Sequence, residues 1–259
     1  MAEYLTKFFG LKGKVAALVG GGGHLCGAMA KALGGAGVAV AVCDRRAEKA
    51  ERVAKEIARA KGKAIALILE ATEKASHEAA LKEILKRFGR VDILINGAGI
   101  NAPTPFLEIR VEDWQAIVDS HVTASMLGCQ VFGRHMLARQ KGSIINISSV
   151  SAGPPLSKAF AYSVAKAGVK NLTQNLAREW AAKNVRVNCL RPGFFPTEWS
   201  MKNFITRDRE RAILGHTPMG RYGRPEELVG AVLWLASDAA GFVTGAEINV
   251  DGGFTAMTI

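Results

Sequence analysis

Seven short apolar runs, separated by stretches whose apolar residues recur every three or four positions, constrain this 259-residue chain more than any other feature. The runs are VAALV (15–19), VAVAVC (38–43), AIALIL (64–69), VDILIN (91–96), SIINIS (143–148), VRVNCL (185–190) and EINV (247–250). Helical periodicity covers about 25–35, 47–61, 74–88, 112–138, 162–182 and 225–237. A strand that is apolar at nearly every position has both faces buried, and a helix between successive strands lets them run parallel. The pattern predicts an α/β fold in which residues 1–259 form a single doubly wound domain, a seven-stranded parallel sheet with helices on both faces. No linker or internal repeat divides it.

No apolar run reaches the roughly 18 residues of a membrane span, and the first residues, MAEYLTKFFGLKGKV, lack an apolar core of signal-peptide length. The expectation is a soluble, cytoplasmic protein with no membrane partner. Formal charge is +11, yet Lys and Arg are scattered over the amphipathic segments without a block of like charge or an aromatic-interleaved stripe. That distribution describes a basic surface attractive to small anions and implies no nucleic-acid partner. Cys26, Cys43, Cys129 and Cys189 are far apart and show no ligand spacing, so neither a disulfide framework nor a metal site is expected.

Four consecutive glycines, 20–23, lie between the first strand and the first helix. Backbone without Cβ atoms at a helix N-terminus lets a pyrophosphate approach the N–H groups at the positive end of the helix dipole. Asp44 follows the second strand about 20 residues on, where a carboxylate accepts hydrogen bonds from a ribose, so the pair points to a Rossmann-type dinucleotide site. A carboxylate there repels a ribose 2′-phosphate, which favours NAD over NADP; Arg45 and Arg46 keep NADP open.

In AYSVAKAG, Tyr162 and Lys166 are four apart on one helix face. An ammonium beside a phenol favours the phenolate and is expected to lower its pKa toward the range of a working acid or base. Thirteen residues before Tyr162, Ser148 and Ser149 end a strand, where hydroxyls face the crevice at the carboxyl edge of a parallel sheet.

These features, with NGAG (96–99), RPGFFPT (191–197) and VDGGF (250–254), resemble the short-chain dehydrogenase/reductase family over nearly the whole chain. The resemblance implies an NAD(P)-dependent oxidoreductase interconverting a secondary alcohol and a ketone, with Ser149, Tyr162 and Lys166 as its catalytic residues. Ser149 would hold the substrate oxygen, Tyr162 would give or take its proton, and Lys166 would hold the nicotinamide ribose. Gly21 and Gly27 match glycines of the family turn, Leu25 stands where its middle glycine would be, and Gly22 and Gly23 would provide the close approach instead. Glu70 and Ala71 stand at the adenine contact, Asn96, Gly97 and Ala98 would line the adenine side, and Pro192, Gly193 and Thr197 would lie near the nicotinamide. The family's fourth catalytic position, an Asn, falls on His121, an imidazole that would enter a proton relay and titrate near neutral pH.

Residues from about 194 to 224 would form a substrate lid. From 191 to 224 there are seven basic residues (Arg191, Lys202, Arg207, Arg209, Arg211, Arg221, Arg224) against Glu198, Asp208 and Glu210, an excess suited to an anionic substrate. PGFFPTE, GHTPMGR and VDGGF resemble the branch labelled D-mannonate oxidoreductase, which implies D-mannonate/D-fructuronate as the substrate pair. A 3-oxoacyl-thioester reductase acting on an acyl carrier protein, and a non-catalytic dinucleotide-binding regulator, are the alternatives. The family is typically tetrameric, which implies a homotetramer joined through the helices around 112–138 and 162–182.

Overall fold

The computed structural model describes residues 2–203 and 205–258. Strands β1 (Val15–Val19), β2 (Ala39–Asp44), β3 (Ala64–Ile68), β4 (Ile93–Asn96), β5 (Gly142–Ile147), β6 (Val185–Pro192) and β7 (Glu247–Val250) form one sheet in the order β3-β2-β1-β4-β5-β6-β7. Every pairing is parallel. The strand order reverses between β1 and β4, and the crevice beyond their carboxyl ends is where a doubly wound sheet takes its ligand.

All residues of β1, β2 and β4 are buried, and successive side chains enter opposite layers. Leu18, Val40 and Ile95 pack with α2 (His24–Gly35), α3 (Ala47–Arg59) and α10 (Val229–Ala236). Ala17, Val19, Leu94 and Ile144 pack with α4 (Lys74–Phe88), α6 (Ala124–Ala138) and α7 (Phe160–Trp180). At about 1.5–3 kcal/mol for each large apolar side chain withdrawn from water, these layers make the sheet the rigid base on which the loops are set.

Two helical features depart from the periodic reading. The segment expected to be one helix over 112–138 is α5 (Val111–Val118), a π-helical turn (Asp119–Thr123) and α6. A further helix, α1 (Ala2–Phe9), precedes β1, and α8 (Glu198–Asn203) and α9 (Arg207–Gly215) follow β6. Ala161, Ala165 and Val169 of α7 are buried within the chain. No helix among the described residues is long and apolar enough to cross a membrane.

Candidate active site

The glycine turn closes on the sheet through its own backbone. Gly20 has φ +78°, and a Cβ there would lie 2.8 Å from the Ala98 amide nitrogen, so the β1 and β4 loops meet only because the residue is bare. Gly21 donates its N–H to the carbonyl of Cys43, and Gly22 donates to a carboxylate oxygen of Asp44 at 3.2 Å. Helix α2 starts behind Gly23 with no side-chain cap, leaving its first amides for another acceptor. Gly20 and Gly23 line the cavity, whereas Gly21, Gly22 and Gly27 face Leu18, Lys49 with Asp44, and Val53. Of the two glycines expected to provide the close approach, Gly23 lines the cavity and Gly22 does not; Gly20 lines it as well, and Leu25 lines the wall.

A recess of about 240 Å³ runs from Gly20 past Asp44, Arg45, Glu70, Ala71 and Ala98. Asp44 is held at its floor: one oxygen accepts from Gly22, the other from the Arg46 amide at 3.1 Å. The Glu70 carboxylate accepts from the Thr72 hydroxyl at 3.0 Å. Asn96 lies below this recess and lines neither cavity, contrary to expectation. Its amide donates to Asn146 at 2.8 Å, Asn146 donates to the Thr173 hydroxyl at 2.9 Å, and Gly128 packs against its carbonyl. An Asn at a strand end points up or down with the strand's alternation, and here it points into the α6 layer.

The recess opens through Gly20, Gly23, Gly97, Gly99 and Ile100 into a cavity of about 560 Å³. Ser149, Tyr162, Lys166, His121, Pro192, Gly193 and Thr197 line this second chamber. Ser149 ends the β5 loop and accepts the Ser151 amide at 3.1 Å, which leaves its own hydroxyl proton free to donate. Lys166 is buried, donates to the Ile147 carbonyl at 2.7 Å and lies 5.5 Å from the centroid of the Tyr162 ring. Burial lowers its pKa to about 8. The Tyr162 phenol is raised, not lowered, because burial outweighs the contact with Ser149.

His121 occupies the π-helical turn, a device often found where a side chain must enter a site. Its Nε2 lies 2.9 Å from the Ile100 carbonyl, an acceptor only, so Nε2 carries the proton and Nδ1 is the lone pair. That Nδ1 is buried without a hydrogen-bond partner. Burial pushes the imidazole down to about 3; the Lys166 charge adds to this and the carbonyls of Ile100 and Ala98 oppose it. The ring is neutral across the neutral range, so the titration expected there is absent.

A match to the family model described as enoyl-(acyl carrier protein) reductase covers residues 25–255. The chain belongs to the short-chain dehydrogenase/reductase family. The uncharacterized oxidoreductase UxuB of Bacillus subtilis is 40% identical over 96% of this chain and 97% of its own. A gluconate 5-dehydrogenase from Burkholderia cenocepacia, solved with NADP and tartrate, superposes with a TM-score of 0.93 at 33% identity over 98% of this chain and all of its own. A candidate D-mannonate oxidoreductase from Haemophilus influenza, solved with NAD, gives 0.91 at 36% identity over 96% of this chain and 97% of its own.

In this short-chain dehydrogenase/reductase, an oxidoreductase, residues that the sequence reading passed over also line the two chambers. His24 and Asn101 line the larger chamber, and Thr72 and Ser120 line the recess. His24 was legible as the first residue after the glycines, whereas Ser120 reaches the loop after β4 from the π-helical turn itself, where its hydroxyl accepts the Ile100 amide at 3.2 Å. Of the seven basic residues from 191 to 224, Arg209 alone lines the larger chamber besides being free of any carboxylate among the described residues.

Proposed function

We propose that this oxidoreductase interconverts a secondary alcohol and a ketone on a sugar acid, D-mannonate/D-fructuronate, with NAD as its preferred dinucleotide. The observation that carries this reading is a continuous cavity with a bare glycine turn and a seated carboxylate, Asp44, at one end and Ser149, Tyr162 and Lys166 at the other. The turn, the uncapped α2 and Asp44 suit a dinucleotide's pyrophosphate and adenosine ribose, and Lys166 with Pro192, Gly193 and Thr197 would hold its nicotinamide end. When bound, the nicotinamide supplies or accepts the hydride.

In the reducing direction the Ser149 hydroxyl donates to the ketone oxygen, and Tyr162 gives that oxygen its proton as the carbon accepts hydride. A phenol kept protonated by burial is ready for that role. In the oxidising direction the phenolate takes the alcohol proton, and the Lys166 charge beside the ring stabilises it. The Nδ1 of His121, the family's Asn position, would accept a hydrogen bond from water or a substrate hydroxyl and orient it; because Nε2–H is bonded to a peptide carbonyl, which takes no proton, the neutral ring positions that group without taking up its proton.

Asp44 favours NAD, since both its oxygens are held by backbone amides where a 2′-phosphate would have to lie. Residues 194–224 serve as the substrate-recognising lid. A homotetramer is consistent with exposed Leu107, Val111 and Val164 on and beside α5 and α7.

The test is a turnover screen of D-mannonate, D-gluconate and an acetoacetyl thioester with NAD(H) and NADP(H). The expected result is preference for D-mannonate with NAD and at least a thousandfold loss of kcat in Tyr162→Phe. Preference for the thioester with NADPH overturns the substrate reading; undiminished turnover in Tyr162→Phe overturns the mechanism.

A further inference from the structure

We infer that Arg209 is the residue that recognises the anionic group of the substrate, an assignment that rests on the sugar-acid reading above. Seven basic residues fall between 191 and 224, and the structure accounts for the charge or position of the other six. Arg191 is buried and paired with Glu247 at 2.8 Å, while its remaining donors hold the Ser149 and Val150 carbonyls. Arg221 grips Glu227 with both nitrogens, at 2.7 and 2.8 Å, and Arg224 shares the same carboxylate. Arg211 faces Asp208 at 3.6 Å, and Lys202 and Arg207 do not line the chamber.

Arg209 differs on both counts. It stands on the first turn of α9, half-buried, among the residues that line the chamber with Ser149 and Tyr162. Among the described residues its guanidinium has no carboxylate; its one hydrogen bond runs from Nη1 to the Ser157 hydroxyl at a long 3.4 Å. A guanidinium offers five donors in a planar fork, so a single long bond leaves the geometry that a carboxylate takes bidentately. Leu156, Ile205 and Ile213 line the same chamber, and a neutral polyol has no charge with which to meet the guanidinium. The carboxylate and the reacting carbon are thus held by different elements, α9 and α7, and a substrate must carry both groups to fill the chamber.

The test compares D-mannonate with D-mannitol, the same chain with a hydroxymethyl group in place of the carboxylate, in wild type, Arg209→Gln and Arg209→Lys. Binding is read by calorimetry in a Tyr162→Phe background with NAD present, so that the readout does not depend on turnover. Arg209→Gln is expected to weaken D-mannonate about 10–100-fold, the range of one charge-assisted hydrogen bond. Arg209→Lys recovers part of that loss, and NADH affinity and the weak binding of D-mannitol stay within about twofold. Equal loss for both ligands, no loss of D-mannonate, or no D-mannonate binding in wild type overturns the assignment. If D-mannonate binds through Arg209 but Tyr162-competent enzyme does not oxidise it, the assignment stands and the proposed reaction fails.

Discussion

The His121 imidazole lies edge-on to the Tyr162 ring, with centroids 5.2 Å apart and planes at 79°, so the relay candidate and the acid–base group share one wall of the chamber. Since burial holds the imidazole at about 3, far below its ordinary 6.5, the unfolded chain binds a proton between those values that the folded chain does not. Stability must then fall as pH is lowered from about 6.5 toward 3. His121→Asn is expected to lose that acid sensitivity, with a smaller drop in Tm between about pH 7 and pH 4 than wild type. The kcat profile of wild type should show no step near neutral pH attributable to this residue; a step that disappears in His121→Asn would contradict the neutral ring.

Gly99 and His121 are packed so closely that a Cβ on Gly99 would meet the imidazole itself. Gly99→Ala alone should therefore destabilise the fold by about 1–3 kcal/mol, the usual cost of overpacking. In a His121→Ala background the same change should cost less, because the obstructing ring is gone, while the strain of a side chain at φ +155° remains. Thermal melts of the two single variants and the double variant give the coupling energy. Additive effects would mean that the contact does not determine the residue at 99.

Gly20→Ala would meet backbone where Gly99→Ala meets a ring. Its φ of +78° strains any side chain, and the new Cβ would press on Ala98 backbone, which has no rotamer to yield. The expected outcome is about 1–3 kcal/mol of lost stability and NADH binding weakened more than tenfold, measured by fluorescence titration. Gly35→Ala, in the last turn of α2 with nothing within 4 Å of its would-be Cβ, is the contrast and should stabilise by about 0.5–1 kcal/mol.

The sheet was legible because β1, β2, β4 and β5 are buried on both faces and read as unbroken apolar runs. Tyr162, Lys166 and Ser149 were legible because one helix and one strand end fix their relative positions. The π-helical turn was not: one extra residue in the turn leaves the apolar period of α5 and α6 almost unchanged. The Tyr162 pKa was misread because i, i+4 spacing brings Lys166 near the ring but cannot show that Nζ is bonded to Ile147 while burial dominates the phenol. Arg191 and Arg209 looked equivalent in the chain; the fold pairs Arg191 with Glu247 of β7, 56 residues away, and places Arg209 on the chamber wall.

Asp44 gives the prediction on cofactor choice. Asp44→Ser removes the carboxylate that repels a 2′-phosphate while Arg45 and Arg46 stay at the same recess. The ratio of kcat/KM for NADPH over NADH should rise about 10–100-fold, from loss of charge-assisted bonds to the ribose together with relief of repulsion. Steady-state kinetics with both cofactors reads it directly; an unchanged ratio would mean that Asp44 serves the glycine turn alone through Gly22.

The ion pair of Arg191 with Glu247 bears on catalysis without touching substrate. Arg191 donates to the carbonyls of Ser149 and Val150, so it fixes the loop that presents the Ser149 hydroxyl, and Glu247 is the charge that lets it stay buried. Lys170 also approaches Glu247, at 3.4 Å, so removing the carboxylate strands two cations on one side of β7. Breaking one partner of a buried pair leaves the other uncompensated, at a cost of about 3 kcal/mol. Glu247→Gln keeps the shape and removes the charge, and it should lower Tm by several degrees and kcat by about tenfold, while NADH affinity, set by the glycine turn and Asp44, changes little. Were kcat to hold at its wild-type value while Tm fell, the pair would stabilise β7 without setting the position of Ser149.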